Sequence, residues 1–584
     1  MAYEREIADA FNDEKYPDVT KVVGGNVILA CWKRQHSTAD EVLRAWDKET
    51  RPSRLHAMIG NSPPEWALIQ VSVLLFRFTP LLYALSLLAL LAHDSSARRT
   101  AKAVLAVLLL AEALFYTLIY RPHLRHAASA RPAHPVPALT PAERRALFRR
   151  CVTHAREPDA YLRGWFLGAP LDDIRRDNVR EFLLWAFFET DNDDVNGPLS
   201  EELNGYVAGL EDAVGHRFAE GRGPARCLRL TLDPIVTAYR GLAWYAVIAL
   251  VDALTCALLR AHGFRFYARS SNADVCATFP PRPQELLCRR RSPAPGLGYW
   301  YYGPATTTAS NSAAATARAE PGGSSSLSSS SPPLPIVFFH GIGVGLLTYL
   351  RFLFDLIKAA RAKSSRRGSS GNDIRLIAVE MLPISFRLTA PPLDRRAFLA
   401  AIAAIVDAHG WDAFAVVSHS YGSVPTTHLL TAEDAALSAR VRSVTLVDPV
   451  TVLLQLPHVA YNFTRRPPRT AAEWQLWYFA SADVGVATVL GRHFFWRDNI
   501  LWKEQLWQRP RGGGRRRVTV SLAAKDIIVN APAVARYLQE EPEVEGGAES
   551  AVEVLWFPQL DHAQVFDTPS DYNRIIKCII AEDG

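Results

Sequence analysis

Ser420 stands in the segment 413–422, A-F-A-V-V-S-H-S-Y-G. An apolar, β-branched run ends there in small and polar residues, and a helix-like stretch follows at 424–430. The pattern predicts strand, sharp turn and helix, with the serine hydroxyl presented at the turn as in a nucleophile elbow. Small residues two before and two after, Ser418 and Gly422, let strand and helix pass close to one another. The first of these is Ser rather than the commoner Gly. Five residues alone also fit an ordinary turn with a buried or capping serine. What separates the two readings is whether an acid and then a histidine follow, each after a strand. Asp448 follows the apolar run 441–447, Asp526 follows 518–522, and His562 follows 552–557. Parts of this kind in this order can perform acyl transfer: an imidazole takes the hydroxyl proton and a carboxylate orients the imidazole.

The turns resemble those of the α/β-hydrolase superfamily over roughly residues 334–580. The residues that carry the resemblance are Ser418-His419-Ser420-Tyr421-Gly422, His340-Gly341-Ile342-Gly343, the acid-bearing turn 523–529 and Leu560-Asp561-His562-Ala563-Gln564. The resemblance implies a mostly parallel sheet flanked by helices, with Ser420 as nucleophile, Asp526 as acid and His562 as base. Asp448 stands as the alternative acid. It also implies an oxyanion hole from the Gly341-Ile342 turn and the Tyr421 amide. Acyl transfer to water needs no metal or organic cofactor, and Ser rather than Asp at the elbow disfavours haloalkane or epoxide chemistry. His419 receives no role, because neighbouring side chains at an elbow point apart. Residues 161–189 and 228–239 look similar to a group of fungal membrane-associated α/β-hydrolases of unassigned substrate. Two alternatives stay open: an acyltransferase using the same triad, and a non-catalytic membrane scaffold on the same fold.

The elements that must position these residues are read from period. From residue 335 short strands alternate with helices, as in a parallel sheet. Strands are expected at 336–339, 374–380, 414–417, 441–447, 518–522 and 552–557, helices at 346–362 and 396–409, and an early strand at 298–302. Between Asp448 and Asp526 lies a long excursion, 450–507, dense in aromatics such as Trp474, Trp477, Phe494 and Trp496. In this fold that slot commonly holds a lid, and so apolar a lid points to an ester with a lipid-like acyl part. Asn462-Phe463-Thr464 is a glycosylation sequon.

Upstream, residues 66–92 and 101–120 are nearly continuous apolar runs, each able to cross roughly 30 Å of hydrocarbon as a helix. Arg77 and Pro80 interrupt the first, and Glu112 is the acid in the second. The expected layout is a polar segment at 1–60 and two transmembrane helices within 61–122. A helical accessory region at 139–290, a low-complexity linker at 303–335 and a catalytic domain at 335–584 follow. A third apolar run, 241–259, carries Asp252, which is costly in hydrocarbon without a partner. An interfacial or buried helix is expected there; a third crossing would put the catalytic domain on the other face. Lys48, Arg51, Arg54 and Arg121, Arg125, Arg131 flank the pair, which by the positive-inside rule places both ends, and the catalytic domain, in the cytosol. A net charge of +6 over 584 residues, with no aromatic-interleaved basic stripe, argues against nucleic-acid binding. Seven scattered cysteines without a C-x-x-C pair argue against a disulfide framework or zinc site. The expected partners are a lipid membrane and an ester or lipid-like substrate.

Overall fold

The computed structural model describes residues 62–92, 99–129, 139–190, 197–304, 333–366, 374–508, 515–540 and 552–581. The expected polar segment at 1–60 and most of the expected linker, 305–332, lie outside the described residues.

Helices α1 (Pro63–Leu91) and α2 (Arg99–Ser129) are long and apolar enough to cross a membrane, and α1 continues through Pro80. Burial on them is lopsided. Ile69, Val73 and Thr79 of α1, and Glu112, Phe115, Tyr120 and Ala127 of α2, are buried, whereas Leu81, Leu85, Leu88, Val104, Val107 and Leu110 are exposed. The two ends farthest from the link therefore pack one side on the rest of the chain, while the ends nearest it present bare apolar surface all round. Surface of that extent marks a membrane or partner contact. Between α2 and the sheet, Pro141–Thr153, Pro158–Trp165, Arg176–Leu183 and Pro198–Val214 form the helical region. The first opens with a capping box in which Thr140 accepts the Glu143 amide.

The third apolar run is helix α3 (Leu242–Ala261), and it is one-sided. Trp244, Tyr245, Ile248, Asp252, Cys256 and Leu259 are buried, while Val247, Leu250 and Leu254 face out. Asp252 is not alone: Arg387 Nη2 meets it at 2.6 Å and Arg282 Nε at 3.4 Å. Glu112 is satisfied at the start of the same helix. It accepts the Leu242 N–H at 3.1 Å and the Tyr239 hydroxyl, and so caps the first turn of α3. Pairing and hydrogen bonding are what let these carboxylates sit in apolar surroundings.

Eight strands form one sheet: β1 (Arg265–Tyr267), β2 (Tyr299–Tyr302), β3 (Ile336–Phe339), β4 (Leu376–Val379), β5 (Phe414–His419), β6 (Val441–Val447), β7 (Arg517–Ala523) and β8 (Val552–Phe557). Their order is β1-β2-β4-β3-β5-β6-β7-β8. β1 pairs with β2, and β2 with β4, antiparallel; every other pair is parallel. β3, β4 and β5 are buried throughout, as β-branched and aromatic runs covered on both faces must be. Helices α4 (Leu350–Arg366), α5 (Arg395–Ala408), α6 (Ser423–Leu430) and α7 (Pro569–Ile580) belong to this layer. One boundary differs from expectation. The sheet reaches back to Arg265, so residues 265–302 supply its antiparallel edge ahead of the low-complexity stretch. β2 falls on the early strand expected at 298–302, whereas β1, with three residues, is too short to show a period in sequence.

Candidate active site

Ser420 ends β5 with φ +52°, a left-handed backbone that costs a non-glycine residue of order 1–3 kcal/mol and that clusters at functional turns. Helix α6 starts three residues later. Gly422 is required by proximity, since a Cβ there would lie 2.4 Å from the Phe339 carbonyl oxygen. Ser418, where Gly is commoner, is buried and accepts a hydrogen bond from the Thr426 hydroxyl at 2.9 Å. The departure thus ties β5 to α6. Ser423 Oγ donates to the Ser420 carbonyl at 2.6 Å and accepts the Val450 amide at 3.2 Å, which fixes the elbow to the start of the lid.

Across the parallel strands the turns converge. His562 Nε2 lies 2.8 Å from Ser420 Oγ, and its Nδ1 lies 2.7 Å from Asp526 Oδ2. The other Asp526 oxygen accepts the amides of Ile528 at 2.7 Å and Val529 at 2.8 Å, which aims the carboxylate. Asp448 is also buried but turns elsewhere. Its two oxygens accept the Ala523 amide at 2.9 Å and the Ala563 amide at 3.0 Å. Of the two acids weighed, it is Asp526 that meets the imidazole, and Asp448 fastens the end of β7 to the histidine turn. Ligand-type atoms of Asp448, Asp526 and His562 lie within 4.8 Å of one another, but these hydrogen bonds already engage them.

Burial opposes charge on His562, yet the Asp526 carboxylate, joined by Asp448 and Asp561, outweighs it and raises the imidazole pKa to about 9. Burial, then repulsion from Asp526, pushes Asp448 well above the ordinary carboxylate range. His419 is driven the other way, by burial first and by His562 next. Its ring centroid is 5.2 Å from that of His562, and its Nδ1 is hydrogen-bonded with the Tyr349 hydroxyl at 2.7 Å. It is a neutral wall beside the serine.

The expected oxyanion turn needs one correction. The Gly341 amide is already spent, donating to Tyr349 Oη at 3.1 Å. Gly341 matters for space instead: a Cβ would lie 2.8 Å from His419 Nδ1 and 3.0 Å from Ser420 Cβ. Ile342 and Tyr421 remain at the site, and both line the cavity in front of Ser420.

That cavity has a free volume of about 50 Å³, room for one or two waters at roughly 30 Å³ each. Phe463, Leu490 and Phe494 of the lid close it from one side, and Trp165 and Trp185 from the other. The two tryptophans come from the helical region, in which sequence spacing carried no chemical signal. Two groups of the lid's aromatics face different ways. Phe463, Phe494, Phe495 and Trp496 face the cavity. Trp474, Trp477, Tyr478 and Phe479 instead pack around Ile69, Val73 and Phe76 of α1. The sequon asparagine is engaged as well, donating from Asn462 Nδ2 to the Ile528 carbonyl at 3.0 Å.

No protein-family model matches the chain, and no curated protein does. Among solved structures it is similar to a carboxylesterase, CesB, from Bacillus subtilis, at 10% identity over 58% of this chain and 98% of that one, with a TM-score of 0.32. A membrane phospholipase A is similar at 11% identity, over 58% and 94% of the two chains, with a TM-score of 0.31. So is the monoacylglycerol lipase of Paleococcus ferrophilus, at 14% identity, over 42% and 95%, with a TM-score of 0.27. With its mostly parallel sheet flanked by helices and its serine on a strained turn between β5 and α6, the chain has the α/β-hydrolase fold.

Proposed function

We propose that the protein is a membrane-anchored serine hydrolase that cleaves carboxylic esters with a lipid-like acyl part. The observation that carries this reading is the hydrogen-bonded line from Ser420 Oγ through His562 to Asp526, at 2.8 Å and 2.7 Å. His562 Nε2 takes the serine proton as Oγ attacks the ester carbonyl, and returns it to the departing alcohol. Asp526 holds the imidazole in the tautomer that accepts at Nε2 and stabilises the imidazolium. The amides of Ile342 and Tyr421 bind the oxyanion, each worth roughly 2.7–4 kcal/mol in the transition state. Water then clears the acyl-enzyme with His562 as base. The apolar cavity between Phe463, Phe494, Trp165 and Trp185 supports an acyl ligand rather than a polar one. α1 and α2 anchor the protein, and the flanking basic residues favour a cytosolic catalytic domain.

The test is a panel of acyl esters of graded chain length, offered to the purified full-length protein. The expected outcome is hydrolysis that Ser420→Ala abolishes. Turnover that survives this substitution would contradict the reading.

A further inference from the structure

The cavity at Ser420 does not end at the lid. A second cavity, of about 30 Å³, is lined by Leu230, Thr464 and Leu490, all three of which also line the first. These side chains are the partition between the two. On its far side the second cavity is bounded by Trp477 and Ala482. Ala482 belongs to the apolar cluster that holds Ile69 and Val73 of α1, and Trp477 packs against that cluster. Val236, 53% exposed, lies on the rim of the same cavity. Its charged residues, Asp233 and Arg465, are paired at 3.1 Å and so present a neutral wall.

Two other cavities show that this alignment is not a matter of size. One of about 940 Å³, whose lining includes His154, Glu157 and Arg536, shares no lining residue with the cavity at the serine. A cavity of about 150 Å³ near Leu393 shares only Tyr421.

We propose that the acyl chain of a bilayer lipid reaches Ser420 from the hairpin side, through the second cavity and past Leu230, Thr464 and Leu490. The proposal rests on the hydrolase reading of Ser420 and adds the source and direction of the substrate. The second cavity is bounded by residues that pack on Ile69 and Val73 of α1, and the same stretch of α1 exposes apolar side chains, Leu68, Val71 and Leu75. A chain taking this route is kept from bulk water between the hydrocarbon and the serine, and so keeps the transfer free energy that exposure to water would remove.

The test uses full-length protein in phosphatidylcholine vesicles. Para-nitrophenyl palmitate is supplied in the bilayer and para-nitrophenyl acetate in the water. Ala487→Trp fills the second cavity from the lid, and Ile235→Trp fills it from the opposite wall. Leu393→Trp obstructs the cavity behind Tyr421 instead. Because one methylene in an apolar pocket discriminates by about 10–200-fold, the palmitate-to-acetate rate ratio is expected to fall at least about tenfold in the first two variants. It is expected to hold in Leu393→Trp, and a fluorophosphonate label at Ser420 certifies that each variant is folded. A ratio unmoved in labelled Ala487→Trp and Ile235→Trp, or one that falls in Leu393→Trp instead, overturns the route and leaves the hydrolase reading standing. A wild type that turns over neither ester and takes no label overturns both.

Discussion

Asp526 and Asp448 end adjacent parallel strands, β7 and β6, and both are withdrawn from water around the same histidine turn. Their oxygens do different work. Asp526 gives one oxygen to the imidazole and one to two amides of its own turn. Asp448 gives both to backbone, to the amides of Ala523 at the end of β7 and Ala563 after His562. A carboxylate next to a histidine is therefore not defined by proximity; what matters is which donors its own backbone leaves for it. Glu112 on α2 is a third case. Set in a run apolar enough to cross a membrane, it turns to a helix N-terminus and a tyrosine rather than to a base.

Substitution should separate the three. Asp526→Asn removes the acceptor that holds the Nδ1 proton, and kcat is expected to fall about 10⁴-fold, the scale seen when a triad acid is neutralised. Asp448→Asn keeps one amide acceptor and leaves the His562–Asp526 bond in place. Its main cost is expected in stability, about 1–3 kcal/mol for the amide it leaves buried without a partner, read as a lowered thermal midpoint. Equal losses of kcat in the two variants would erase the distinction.

The same contrast predicts a pH dependence. His562 must be neutral to accept the serine proton, and Asp526 favours its charged form, raising its pKa to about 9. The neutral fraction grows with pH, so kcat/KM is expected to climb with an acid limb above the ordinary histidine value of about 6.5. Asp526→Asn removes the charge that raises the pKa, and the limb is expected to move down. Asp448 stands behind Asp526 among the causes that raise the pKa, so Asp448→Asn is expected to move it less.

The smallest effect is expected at Glu112. Glu112→Ala removes the cap on α3 and is expected to cost about 1 kcal/mol of stability without changing the pH profile. A shifted profile would tie the hairpin to the triad electrostatically, which the three roles do not allow.

The turns that carry Ser420, Asp526 and His562 were legible in sequence because each is local: a short apolar strand closed by small or polar residues. The strand ends agree closely, at 441–447 and 552–557 in particular. The resemblance favoured Asp526 over Asp448, but spacing alone did not carry that choice, since each simply follows a strand and only backbone direction decides where its oxygens point. The partners of Asp252, Arg282 and Arg387, were hidden for a related reason. Arg387 lies 135 residues away, and no period links it to α3. Trp165 and Trp185 gave no signal because helical apolar spacing looks alike over a core and over a ligand cavity. The lid's aromatic density pointed to apolar ligands, but Trp474, Trp477, Tyr478 and Phe479 turned out to meet α1. Composition cannot tell the two faces of a lid apart.

The central claim is that the hydroxyl of Ser420, and no other, is the activated nucleophile. A fluorophosphonate probe on the full-length protein, with the modified peptide located by mass spectrometry, tests it most directly. The account predicts a label on Ser420 in the wild type, kept in Ser418→Ala and lost in Ser420→Ala. An unlabelled wild type, or a label that persists in Ser420→Ala, would contradict it.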